Sequence, residues 1–142
     1  MFGVFKHTFS DKRLPIFRGF DDLFYIPHSR HTEIRAEDIE KVKELEIISS
    51  SREAGVCIVK AKNGRQLFIT GHAEYSRNTL DSEYRRDKSK NLPIEIPVNY
   101  YPNNNPEKTP IMSWSSTANL FFSNWLNYYV YQETPYNLEE IQ

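Results

Sequence analysis

Asn63-Gly64 stands between two short apolar runs, Gly55 to Ala61 and Gln66 to Thr70. These two residue types tolerate the positive φ that a tight hairpin turn needs, so the spacing predicts a pair of antiparallel strands. A third run, Leu45 to Ser49, precedes them closely. Gly3 to Phe9 alternates apolar and polar residues and predicts another strand, and Leu23 to Ile26, closed by Pro27, predicts a buried one. Leu14 to Phe20 is broken by Pro15 and Gly19 and predicts a strand end or an exposed loop.

Helical spacing appears in three places. Ala36 to Leu45 puts Ile39, Val42 and Leu45 on one face, with Glu37 four residues before Lys41. Thr79 to Lys90 predicts a second helix, capped by Asn78 or Thr79, with Leu80 and Tyr84 turned inward. Ser116 to Gln132 predicts a third, followed by Pro135. Its Ala118, Phe121, Phe122, Trp125, Leu126 and Tyr129 nearly encircle the axis and predict substantial burial. Between the last two lies a long irregular loop, Asn91 to Pro110, holding five prolines and Asn103-Asn104-Asn105. Strands mixed with helices predict an α/β domain of three layers. Three helices are few for about six strands in a sheet covered on both faces, so residues 1–142 are read as a single partial domain of a larger α/β unit.

At 142 residues the chain has room for one domain. Its 18 Lys and Arg balance 19 Asp and Glu, which argues against binding nucleic acid through a basic surface. The mean hydropathy of −0.65 would suit a polar chain. However, the apolar residues fall in blocks and aromatics make up 14 %, which predicts a folded core. A lone cysteine excludes an internal disulfide and any multi-cysteine zinc site, and fits a reducing cytoplasm. Neither a signal peptide nor a run of ~18 apolar residues is present, so no membrane partner is expected.

The strongest chemical signal is His72-x-Glu74 at the end of an apolar strand. In extended chain, residues two apart point the same way with Cα atoms about 6.5–7 Å apart, so the carboxylate can orient the imidazole as a general base. The plainer alternative is a turn histidine with an incidental acid nearby. Cys57 sits in an apolar strand without a charged neighbour and is read as structural rather than nucleophilic. No serine occupies a G-x-S-x-G elbow. His28-x-x-His31 has half the spacing of a metal site but lacks a helical pattern. No metal is expected there, and the segment is read either as a substrate-contacting loop or as a solvated strand end. Arg85-Arg86-Asp87 offers a guanidinium for a substrate carboxylate, or plain surface charge.

Taken in order, GVFKH, GFDDLFYIPHSRHTEI, TGHAEYS, TLDSEYRRD, NYYPNNNP and NLFFSNWLNYYVYQETPY run across nearly the whole chain. Together they resemble the C-terminal half of the homoserine O-acyltransferases, the homoserine O-succinyl- and O-acetyltransferases of methionine biosynthesis. The resemblance implies a glutamine-amidotransferase-like (flavodoxin-like) fold and ping-pong acyl transfer from acetyl-CoA or succinyl-CoA to the hydroxyl of L-homoserine. Acyl-CoA is then a cosubstrate, and no cofactor is called for. It also implies His72 as general base and acid, Glu74 as its orienter, and Ser29 and Arg86 as substrate-binding residues. The family's cysteine nucleophile and a substrate-binding lysine belong upstream of Gly3, so the isolated chain is expected to be inactive. It is equally expected to need its missing N-terminal half or to self-associate as a homo-oligomer. The HSRHTEI and EAGV strings lean toward the acetyl-using members. Where the family usually reads W-R-S-H, this chain has Trp114-Ser115-Ser116-Thr117, a departure near the site. Two rivals stand beside this reading: a glutamine-amidotransferase lobe, and a non-catalytic binding or interaction fragment.

Overall fold

A computed structural model describes residues 1–62, 64–132, 137 and 139. Five strands form one sheet: β1 (Phe2–Phe9), β2 (Phe24–Ser29), β3 (Leu45–Ser51), β4 (Gly55–Ala61) and β5 (Leu67–Ile69). Their order is β2-β1-β3-β4-β5, and every pair is antiparallel. The fold is therefore α/β with an antiparallel sheet. The hairpin expected at Asn63-Gly64 joins β4 to β5, although Asn63 itself lies outside the described residues. The Ala61 amide donates to the Gln66 carbonyl at 2.9 Å and closes the turn.

The sheet curls. Register shifts between Ile47 and Ser50 mark a bulge in β3, and bulges sharpen local twist. The chain leaving β5 completes the curl: the Thr70 amide donates to the Cys57 carbonyl in β4 at 2.9 Å, and the His72 amide to the Pro27 carbonyl in β2 at 2.8 Å. One short segment thus fastens two strands that are not neighbours in the sheet.

Pro27 does not end its strand, contrary to the sequence expectation; β2 runs on through His28 and Ser29. On a strand, a residue's N–H and C=O point to the same side. The Pro27 carbonyl faces outward to His72, so the missing N–H removes no bond to β1 from this edge strand.

Among the described residues, three α-helices accompany the sheet: α1 (Ala36–Glu40), α2 (Thr79–Ser89) and α3 (Ser115–Trp125), the last continuing into a π-type turn over Leu126–Val130. The first is half the expected length, because the chain straightens into β3 and leaves Val42 exposed. In α2, Leu80 and Tyr84 are buried as expected, but Asn78 makes no side-chain cap. Leu14 to Phe20 is neither strand nor exposed loop. It forms a 3-10 turn at Pro15–Phe17 whose Ile16 and Phe17 are fully buried, with the Phe9 and Phe17 rings 4.5 Å apart. Asn124 on α3 holds that turn, donating to the Ile16 and Arg18 carbonyls at 3.0 and 2.8 Å.

Only one face of α3 is buried, through Ala118, Phe121 and Asn124, while Phe122 and Trp125 are each 40 % exposed. An apolar girdle on a helix therefore did not mean burial all round. Pro135 lies outside the described residues. Asn91 to Pro110 is largely irregular, yet it buries Tyr100 and Tyr101 and lays Val98 beside Gly3 as a parallel bridge. A Cβ on Gly3 would stand 2.4 Å from the Val98 carbonyl oxygen, so only glycine fits this approach. Among the described residues, no helix is long and apolar enough to cross a membrane.

Candidate active site

The segment that closes the curled sheet also carries the sequence's strongest chemical signal. His72 Nδ1 lies 2.8 Å from Glu74 Oε1, with the imidazole 35 % and the carboxylate 58 % exposed. The contact is not made in extended geometry. Residues 72–75 form a turn, with the Tyr75 amide donating to the His72 carbonyl at 3.3 Å, and the turn brings the two side chains together. A carboxylate on Nδ1 holds the Nδ1–H tautomer and leaves Nε2 as the free base.

Gly71 explains how His72 reaches this position. A Cβ there would lie 2.6 Å from Ile26 Cγ2 and 2.9 Å from His28 Nε2, so the backbone can press against β2 only without a side chain. Ala73 then anchors in the main core. The His72 ring stacks on Tyr75, centroids 4.3 Å apart and planes within 11°. Trp114, fully buried, donates its indole N–H to the Tyr75 carbonyl at 2.9 Å and fixes the far end of the turn.

From Tyr75 the contacts lead into α2. The Tyr75 hydroxyl donates to Glu83 Oε1 at 3.0 Å, and burial together with this carboxylate pushes the phenol up to about 12. Among the described residues, the second oxygen, Glu83 Oε2, is buried without a partner. Glu83 and Arg86, three residues apart on one helical face, line a cavity of about 500 Å³. Ser29, Arg30, His31 and Asp87 contribute to the same walls. Asp87 engages Arg86 through Nε at 2.6 Å and Nη2 at 3.0 Å, and among the described residues Nη1 is the unengaged edge. Arg85 turns elsewhere, pairing with Asp81 and donating to the Pro106 carbonyl, so it secures the long loop.

The structure thus joins His72 to Glu74 and places Ser29 and Arg86 in one cavity, with Tyr75 and Glu83 between the two. Sequence reasoning missed both connectors. The i, i+3 spacing of Glu83 to Arg86 was the available signal. His28 and His31 do not act together: His28 is fully buried and His31 is exposed. Cys57 is buried and its thiol is pushed up to about 12 by burial, which suits a structural residue and not a nucleophile.

The sequence profile of the homoserine O-succinyltransferase family matches residues 1–136. The chain belongs to that family. Among curated homoserine O-acetyltransferases, it is 61 % identical over 142 residues to that of Phocaeicola vulgatus and 63 % to that of Bacteroides fragilis, covering all of this chain and 47 % of each relative. The Desulfitobacterium hafniense enzyme is 62 % identical over 141 residues, covering 99 % of this chain and 46 % of its own length. The chain therefore spans about half the length of the curated relatives it matches. A solved structure of a GMP synthase protein from Thermoplasma acidophilum matches over 63 % of this chain and 48 % of its own at 19 % identity. Its TM-score of 0.44 is too low to bear on the fold. Ser115 is exposed and Thr117 half-buried, in the first turn of α3 directly after the buried Trp114.

Proposed function

We propose that this chain is the C-terminal part of a three-layer, glutamine-amidotransferase-like domain that moves an acyl group from acyl-CoA to the hydroxyl of L-homoserine. The observation that carries the reading is the His72–Glu74 contact, held on a turn whose backbone is fixed to β2 and whose Tyr75 leads to the Arg86 cavity. In this reading His72 Nε2 takes the proton from the attacking group and returns it to the leaving group, and Glu74 stabilises the imidazolium that forms. Arg86 Nη1 receives the substrate carboxylate, Ser29 donates to it, and the unpartnered Glu83 Oε2 accepts the α-ammonium. Cys57 is unsuited to attack a thioester, and the resemblance to the family implies a cysteine nucleophile upstream of the stretch matched here as the acyl acceptor. The acetyl group is favoured over succinyl, because the relatives at 61–63 % identity are named acetyltransferases. A soluble, cytoplasmic enzyme is the corresponding setting.

The test joins this chain to the remaining half of the Bacteroides fragilis relative and follows CoA thiol release from acetyl-CoA with homoserine. His72→Ala should lower kcat by about 10²–10⁴-fold, and Arg86→Ala should raise KM for homoserine. An unchanged rate in His72→Ala would overturn the assignment. The isolated chain should show no turnover with either acyl-CoA.

A further inference from the structure

Away from the His72 turn, three chemistry-bearing side chains converge inside the curl of the sheet. His7 on β1, His28 on β2 and Cys57 on β4 each have no exposed surface. One ligand-type atom from each lies within 4.8 Å of the others, the two Nε2 atoms being 3.0 Å apart. The two Nε2 atoms share a hydrogen bond in the metal-free chain, one ring donating and the other accepting. Three fully buried side chains of ligand type at this spacing call for a reason.

We infer that His7, His28 and Cys57 form a buried binding site for a soft monovalent cation, Cu(I). The donor set of two imidazoles and one thiolate suits soft and borderline metals and not Mg²⁺ or Ca²⁺. Nitrogens 3.0 Å apart subtend an angle of roughly 90–100° at a metal about 2.0–2.1 Å from each, with the Cys57 sulfur in the same cluster as the third ligand.

Charge decides between candidates. When the metal binds, Cys57 releases its thiol proton to solvent and the sulfur becomes a ligand, with no change of oxidation state. Cu(I) with one thiolate and two neutral imidazoles sums to zero. Zn(II) in the same set leaves a net positive charge in an apolar core, and the Arg30 guanidinium already acts on all three groups. An unpaired buried charge is heavily penalised. The shell around the site is apolar as well: Phe24 stacks on His7 at 5.3 Å, and Phe5 sets its edge against His28 at 5.8 Å. Such a cation would tie three strands together directly behind Gly71.

The experiment is an anaerobic titration of the purified 142-residue chain with Cu(I) against a chromophoric Cu(I) chelator. X-ray absorption at the copper edge follows on the loaded protein. One equivalent should be withheld from the chelator, with one sulfur and two nitrogen scatterers. Cys57→Ser, nearly isosteric and checked for folding by circular dichroism, should weaken binding roughly tenfold or more. His31→Gln, outside the cluster, should leave it unchanged. Failure of the folded wild-type chain to retain copper, retention that survives Cys57→Ser, or tighter retention of Zn(II) would each overturn the inference. None of these outcomes depends on whether the chain takes part in acyl transfer.

Discussion

His72 follows Gly71 in the chain and His28 packs against it, and the same side chain sits in opposite surroundings. His28 is sealed inside the curl against His7, where burial, and then the neighbouring imidazole, lower it to about 3; His7 itself is lowered to about 4, chiefly by burial. His72 stands a third exposed with a carboxylate on its Nδ1. Burial withholds water and a counter-charge from His28, whereas His72 has both.

Acid should separate the two regions most. In the metal-free chain, His7 and His28 are neutral when folded but take up protons near 6.5 when unfolded. Their contribution to stability is therefore complete above about pH 6.5 and is lost as pH falls toward 4 and then 3. The total loss should be on the order of 3–5 kcal/mol, read from urea midpoints across that range in the presence of a chelator. A flat profile would contradict the contrast.

Gly71→Ala should come next. The added methyl collides with Ile26 and His28, both rigid within β2. The expected destabilisation is about 1–3 kcal/mol, together with displacement of His72, seen as a shift of its imidazole resonances. The smallest effect should be that of His72→Gln on folding. It loses a partly exposed contact and a ring stack, about 1 kcal/mol or less by thermal melting, even though the same position is expected to dominate turnover. A large loss of stability there would mean that the two histidines are not so different after all.

The local pieces of this architecture were legible in the sequence. Period-two alternation found β1, turn chemistry found the β4–β5 hairpin, and helical spacing found α2 with Leu80 and Tyr84 inward. His72-x-Glu74 was legible as a pair, although the turn that assembles it was not, since the spacing suited extended chain equally well. What stayed hidden depends on residues far apart in sequence. Pro27 reads as a stop until one knows that its strand lies at an edge. Leu14 to Phe20 reads as punctuation until Asn124, more than 100 residues later, supplies its hydrogen bonds. His7 and Cys57 carry no mutual spacing signal, because pairing among three strands brings them together. The girdle on α3 misled for a related reason: periodicity shows which residues are apolar, and not how many of them find a neighbour.

The bond from the His72 amide to the Pro27 carbonyl has a further consequence. The backbone that carries the His72 imidazole is also the clasp of the curled sheet, so its main chain has little freedom to drift. Freedom in this stretch is then left to the side chains at positions 72, 74 and 75, set on a track that folding itself holds still.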